Sequence, residues 1–250
     1  MTRILVIRRE DDFSRMLMAN GLSVINCPVI RTEPLADLSG LENTVSRLDR
    51  FDGIFITSAT AAEIFARHAV SQLRTYRGRV FVLGCRSFDI LKDIVADIVF
   101  DETANTAGKM VDAIADGVSG RRLLFVRGER SLLTIPERLD GEVDVEEAIV
   151  YRTVDIAVED AEKEAIRKES ACGTIAMACF FSPSGVESFV KQFGIDILRS
   201  TQIAAIGETT KSALRNLDLK VDVVSKRTDS KHFAAAVLEH LNTAVQRSSV

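Results

Sequence analysis

Six short stretches of this chain mix hydroxyls, glycine and arginine in a way suited to receiving anions. They are Arg8-Arg9, Thr57-Ser58-Ala59-Thr60, Gly84-Cys85-Arg86-Ser87, Arg127-Gly128-Glu129, Ser182-Pro183-Ser184-Gly185 and Gly207-Glu208-Thr209-Thr210. Where such a stretch leads from a strand into a helix, the first backbone N–H groups of the helix lack partners and carry partial positive charge. They therefore attract carboxylate or phosphate. Arginine adds a planar fork of donors matched to the same groups. The same residues also serve plain capping: Ser182 reads as an N-cap and Pro183 as the first helical residue. Any one loop can be explained that way; six of one kind favour a shared anionic ligand.

Other chemistries find little support. Gly-x-Gly-x-x-Gly, Gly-x-x-x-x-Gly-Lys-Ser/Thr and Gly-x-Ser-x-Gly are missing from the sequence, and no pair of histidines or carboxylates has acid–base spacing. The four cysteines, Cys27, Cys85, Cys172 and Cys179, show no metal-binding spacing, and with three histidines no metal site is expected. Each thiol is read as a buried one. A net charge of −4, with no tryptophan and two tyrosines, offers neither a basic face nor a stacking platform for nucleic acid. The longest apolar runs, such as 174–181, are too short to span a bilayer, and the N-terminus lacks a signal peptide's apolar core. A cytoplasmic protein is expected, without nucleic-acid or membrane partners.

The elements that must position these loops follow from periodicity. Apolar runs at 4–7, 24–30, 53–57, 80–83, 97–100, 123–127, 145–150, 175–181, 202–206 and 221–224 read as strands. Helical spacing lies between most of them, at 12–20, 60–69, 87–94, 106–116, 159–168, 185–193, 209–216 and 230–241. That alternation predicts parallel-sheet α/β structure of the Rossmann or flavodoxin-like kind. Laying 51–116 over 178–241 reveals a repeat at an offset of roughly 123–125 residues, which keeps strand, glycine and helix in step. The expectation is two similar domains, one discontinuous over 1–30 and 155–250, the other inserted at 36–147. The crossings at 25–35 and 146–155, one Pro-bearing and one β-branched, are expected to pair as a two-stranded β-ladder hinge. An interdomain cleft would then gather the six loops.

Read from its residues alone, the chain grips a polyanionic small molecule. That fits an enzyme and equally a non-catalytic clamshell binding protein. The order of motifs, however, resembles the uroporphyrinogen-III synthase family: Ile-Thr-Ser-Ala at 56–59, Phe-Val-Leu-Gly at 81–84, Leu-Leu-Phe-Val-Arg-Gly-Glu at 123–129, Ile-Val-Tyr-Arg-Thr at 149–153, Phe-Phe-Ser-Pro-Ser-Gly-Val at 180–186 and Ala-Ala-Ile-Gly-Glu-Thr-Thr at 204–210. The similarity spans residues from about 3 to 241.

The resemblance implies a HemD-like fold of two α/β domains and a monomeric hydro-lyase of heme biosynthesis that uses no cofactor. Its substrate, hydroxymethylbilane, carries carboxylates on every ring, and is closed to uroporphyrinogen III with loss of water and inversion of the last pyrrole. On matching positions, Tyr151 becomes the group that assists departure of the hydroxyl as water; read without the family, it is a linker tyrosine packed on a domain edge. Thr209 and Thr210 match paired threonines at the cleft, Ser182, Ser184 and Gly185 match the Ser-Pro-Ser-Gly turn, and Ser87 stands where threonine is common. Arg8, Thr57, Ser58, Gly84, Arg127, Gly128 and Gly207 complete the expected substrate-binding set. Ala59-Thr60 and Cys85-Arg86 depart from the family pattern, both in the inserted domain.

Overall fold

Runs such as Ile4-Leu5-Val6 and Leu124-Phe125-Val126 are apolar on both faces, as strands are when helices cover both sides of a parallel sheet. The computed structural model describes residues 3–104 and 106–248; residues 1–2 and 249–250, at the ends of the expected first domain, lie outside them. Its strands, in chain order, are β1 (Arg3–Val6), β2 (Ser23–Asn26), β3 (Ile30–Pro34), β4 (Gly53–Ile56), β5 (Arg79–Val82), β6 (Ile98–Val99), β7 (Arg122–Gly128), β8 (Asp144–Asp155), β9 (Ile175–Phe180), β10 (Gln202–Ala205) and β11 (Val223–Val224). Among the described residues they form two sheets, ordered β11-β10-β9-β1-β2 and β3-β8-β7-β4-β5-β6. The chain divides into two compact units: Met1–Arg31 with Val154–Val250, and Thr32–Thr153.

Side chains alternate across each sheet, so each has two cores. In the discontinuous unit Leu5, Ala178 and Ala205 join one cluster, while Ile4, Val6, Cys179 and Ala204 join the other. In the contiguous unit Ile54 and Ile56 pack on one face and Phe55 on the opposite one. Aromatic rings fill the second core of the discontinuous unit. Phe13 stacks on Phe233 at 4.8 Å, and meets the edge of Phe181 at 5.0 Å. Such offset and edge-on contacts suit the ring quadrupoles.

The β3 segment arises where the sequence suggested an extended crossing. It pairs with β8: Leu35 N–H donates to the Val150 carbonyl (3.1 Å), and Ile156 N–H to that of Val29 (2.8 Å). Rising numbers on one strand meet falling numbers on the other, so these two run antiparallel. Strand β8 is longer than its apolar run at 145–150 because this pairing carries it to Asp155. Short helices at Ser39–Val45, Thr134–Leu139 and Asp196–Arg199 carry too few turns for a helical period to register in sequence. No helix of the described residues is long and apolar enough to cross a membrane.

The thiols require a correction. Cys27 and Cys179 are buried, but Cys85 and Cys172 are exposed. Both exceptions sit at helix ends, Cys85 in a first turn and Cys172 as a C-cap, where the chain meets solvent. Burial pushes the Cys27 thiol up to about 12, with Glu162 adding to it, and burial also raises Cys179. Tyr76 is raised too, by burial and then by Asp52.

Two outcomes are expected. A thiol reagent at neutral pH should modify Cys85 and Cys172 in the native protein, and Cys27 and Cys179 only after unfolding; four equally fast thiols would contradict this packing. Alkali should also destabilise the fold. Folded Cys27 keeps its proton to about 12, whereas an unfolded thiol loses it near 9.0. The stability held below pH 9.0 is therefore lost as pH climbs toward 12. Urea midpoints at pH 7.5 and 10 should fall in that order.

Candidate active site

Parallel pairing sends the hydroxyl-, glycine- and arginine-bearing loops of each sheet out along one edge. The pairs β1–β2, β1–β9, β9–β10 and β10–β11 are parallel, and so are β8–β7, β7–β4, β4–β5 and β5–β6. Carboxyl edges of such sheets are where ligands bind, because strands there hand over to helix N-termini.

In the discontinuous unit this edge carries Arg8 after β1, the Ser-Pro-Ser-Gly turn after β9 and the Gly-Glu-Thr-Thr turn after β10. Ser182 caps the helix Pro183–Phe193, its Oγ accepting from Gly185 N–H at 3.1 Å. The Ser184 hydroxyl lies 3.2 Å from that Oγ, so the two serines form one polar cluster. Arg8 lays its guanidinium over the Phe181 ring, 4.4 Å from the centroid, and reaches Asp11 at 3.1 Å. Asn26, the last residue of β2, donates to the Arg8 carbonyl (3.2 Å) and to Ser14 Oγ (2.7 Å), which fixes the turn behind Arg8. Thr209 is half-buried, but Thr210 is only 3% exposed.

The contiguous unit repeats the arrangement. Ser58 caps the helix Ala59–Thr75 by accepting from Ala61 N–H at 3.1 Å, the same role in the same turn as Ser182. Thr57 beside it is half-buried. Arg86 pairs with Glu63 at 2.7 Å on the surface, and Ser87 is 2% exposed. Ser87 and Thr210 are buried, while Thr57, Ser58, Ser182, Ser184 and Thr209 keep surface to offer.

The two glycine loops match in sequence and differ in physics. Gly84 adopts φ +84°, a region that side chains other than glycine rarely visit. Gly207 is extended; there a Cβ would come within 2.7 Å of the Thr228 methyl group. Glu208, in the first turn behind it, is held by Lys211 at 2.9 Å.

Tyr151 holds the most distinctive position. It lies opposite Gly128, through a register shift between Arg127 and Gly128. A Cβ on Gly128 would sit 2.3 Å from Tyr151 Cζ and 2.7 Å from its hydroxyl, so the phenol end of the ring rests directly on the bare glycine. The loop beneath is tied on all sides. Gly128 N–H donates to Ser131 Oγ (3.0 Å), Ser131 N–H to the Gly128 carbonyl (3.1 Å) and Glu129 N–H to the Tyr151 carbonyl (2.8 Å). Arg127 Nη1 donates to the carbonyls of Gly128 (2.9 Å) and Glu129 (3.1 Å), and its Nε to Glu147. The Arg127 side chain is 10% exposed, so its charge needs that carboxylate.

Glu147 and Ser131 were not among the residues singled out from sequence. An arginine ending an apolar strand was the available signal: placed there, it needs an acid on the neighbouring strand. Chemically, the arrangement offers a positioned phenolic O–H on one carboxyl edge, with capping hydroxyls and helix starts on both.

Comparison with known proteins narrows this chemistry. Residues 11–235 match the family model described as uroporphyrinogen-III synthase HemD. A uroporphyrinogen-III synthase of Chlorobaculum parvum is 32% identical over 253 residues, covering 96% of this chain and 100% of the relative. The Saccharomyces cerevisiae protein of that name is 24% identical, over 94% of this chain and 95% of its own. A crystal structure of a mutant uroporphyrinogen III synthase from Thermus thermophilus shares the fold at TM-score 0.67 and 15% identity, covering 99% of this chain and 100% of that one. The Helicobacter pylori enzyme's structure gives 0.59 at 16% identity, over 96% of this chain and 99% of that one. A match over most of the chain, with a relative aligned end to end, makes this protein a member of the uroporphyrinogen-III synthase family.

Proposed function

We propose that this chain is a hydro-lyase that closes hydroxymethylbilane into uroporphyrinogen III, with Tyr151 donating the proton that lets the terminal hydroxyl leave as water. The observation that carries the reading is the phenol end of Tyr151, seated on Gly128 at the carboxyl edge of its sheet. In the proposed step the C–O bond of the hydroxymethyl group breaks, and the hydroxyl takes the phenolic proton. Electrons of the adjoining pyrrole nitrogen fill the vacancy and give a cationic azafulvene. The last ring then attacks through its substituted carbon, and the spiro intermediate rearranges to the inverted isomer. The closing ring then sheds its α-proton to regain a neutral pyrrole, and that proton, returned through solvent, restores the phenol.

The azafulvene also cyclises unaided to the uninverted isomer, so the protein's main task is shape. It must hold the chain of rings so that the substituted carbon reaches the cation first, which is catalysis by positioning. The substrate's carboxylates give a reason for capped helix starts at both carboxyl edges, with Ser58, Ser182, Ser184 and Thr209 as the hydroxyls that keep surface. The protein would work in the cytoplasm as a monomer.

Purified protein given freshly made hydroxymethylbilane should yield isomer III after oxidation and separation. Isomer I alone, as in a protein-free control, would leave the clamshell binding protein as the better reading. Tyr151→Phe should slow turnover about tenfold or more, while Ser182→Ala or Thr209→Ala should cost less. Wild-type turnover in Tyr151→Phe would remove the proton-donor role.

A further inference from the structure

Arginine and glycine at the end of a strand invite assignment as substrate-binding groups, the arginine for a carboxylate and the glycine for close backbone approach. The contacts made by Arg127 and Gly128 point elsewhere. Arg127 spends Nε on Glu147 and Nη1 on two carbonyls of its own loop, with 10% of its side chain exposed. A substrate carboxylate bound at Nε would have to displace Glu147 from a nearly buried ion pair, leaving that acid uncompensated, and one bound at Nη1 would have to displace the loop carbonyls. Gly128 has no open face to offer either, because the end of the Tyr151 ring occupies the space where its Cβ would be.

We propose that Arg127 and Gly128 are positioning residues: together with Glu147 and Ser131 they form a rigid seat that sets the Tyr151 hydroxyl, and they do not contact the substrate. The inference rests on Tyr151 as proton donor. Each part has a distinct task. Glu147 holds Arg127, and Arg127 holds the carbonyls of residues 128 and 129. Ser131 closes the turn through both the N–H and the carbonyl of Gly128. The Glu129 N–H ties the turn to the Tyr151 backbone. Gly128 lacks the side chain that would lift the ring. Lysine could not replace Arg127, since a point charge on a flexible stem cannot serve a carboxylate and two carbonyls in one plane.

Kinetics can separate a seat from a substrate contact. If the residues form a seat, Gly128→Ala and Arg127→Lys should each lower kcat about tenfold or more and leave KM for hydroxymethylbilane within about twofold. Gly128→Ala should cost little further in a Tyr151→Phe background, where the hydroxyl it displaces is already gone. A rise in KM with kcat kept, or an equal loss from Gly128→Ala in both backgrounds, would overturn the proposal. Glu147→Gln, which keeps shape and removes the charge, should follow the same kcat pattern and serves if the alanine variant fails to fold.

A second readout needs no turnover. The chain has no tryptophan, and Tyr76 and Tyr151 are its two tyrosines. Tyrosine fluorescence in a Tyr76→Phe background therefore reports Tyr151 alone. Acrylamide quenching should be weak there and rise when Gly128→Ala is added. Unchanged quenching would overturn the seat even if the chain proved not to be a synthase, whereas increased quenching with unchanged kcat would sink the proton-donor role of Tyr151 instead.

Discussion

Parallel pairing is the constraint from which the rest of this structure follows. A parallel ladder needs a crossover between neighbours, and the crossover helix covers a face of the sheet. Every strand so connected ends at the same edge, where it must turn into a helix whose first N–H groups need partners. Ser58 and Ser182 answer that need in the two units with the same hydrogen bond, in which the N–H three residues on donates to Oγ. The capping groups at these edges are thus ones that folding already requires. That requirement also explains why both units put hydroxyls and glycines after their strands, and why capping and ligand binding look alike in sequence.

The Tyr151 seat shows a different economy. Burying an arginine is unfavourable unless its donors are met, and Arg127 places Nε on one acid and Nη1 on two backbone carbonyls. The ion pair therefore constrains backbone, not only charge. A loop that would otherwise flex at a glycine is held by Arg127 at two of its carbonyls. The tyrosine resting on it gains a fixed position without a hydrogen bond to its own hydroxyl being required. Rigidity comes from the neighbouring strand.

Much of the fold was legible in the sequence because its signals are periodic. Two-faced apolar runs such as 54–56 and 124–126 alternate with helical spacing, which prescribes covered parallel strands. Short helices such as Thr134–Leu139 were not legible, having too few turns to show a period. At the site, Tyr151 and Gly128 each stood out, but their contact did not. It depends on the register shift that sets residue 151, not 150, opposite residue 128, and such a shift leaves no mark in either strand's own sequence. The likeness of Gly84 and Gly207 concealed a difference for a related reason. One is required by its φ of +84°, the other by a methyl group 21 residues downstream, on Thr228.

The order of strands also shapes how the molecule is made. Strand β1 is an interior strand of its sheet, between β2 and β9, and Arg3 is paired with both Ser23 and Ile175. On a ribosome, β1 must wait for the intervening chain through β8 and beyond before its second neighbour, β9, exists. The contiguous unit, Thr32–Thr153, has all its strands in hand well before that moment. Synthesis therefore favours a sequence of events in which the inserted unit closes first and the flanking one nucleates last, around a strand that has stayed half-paired throughout. Ile4, Leu5 and Val6, fully enclosed at the end, are the residues that chaperones would meet exposed in the nascent chain.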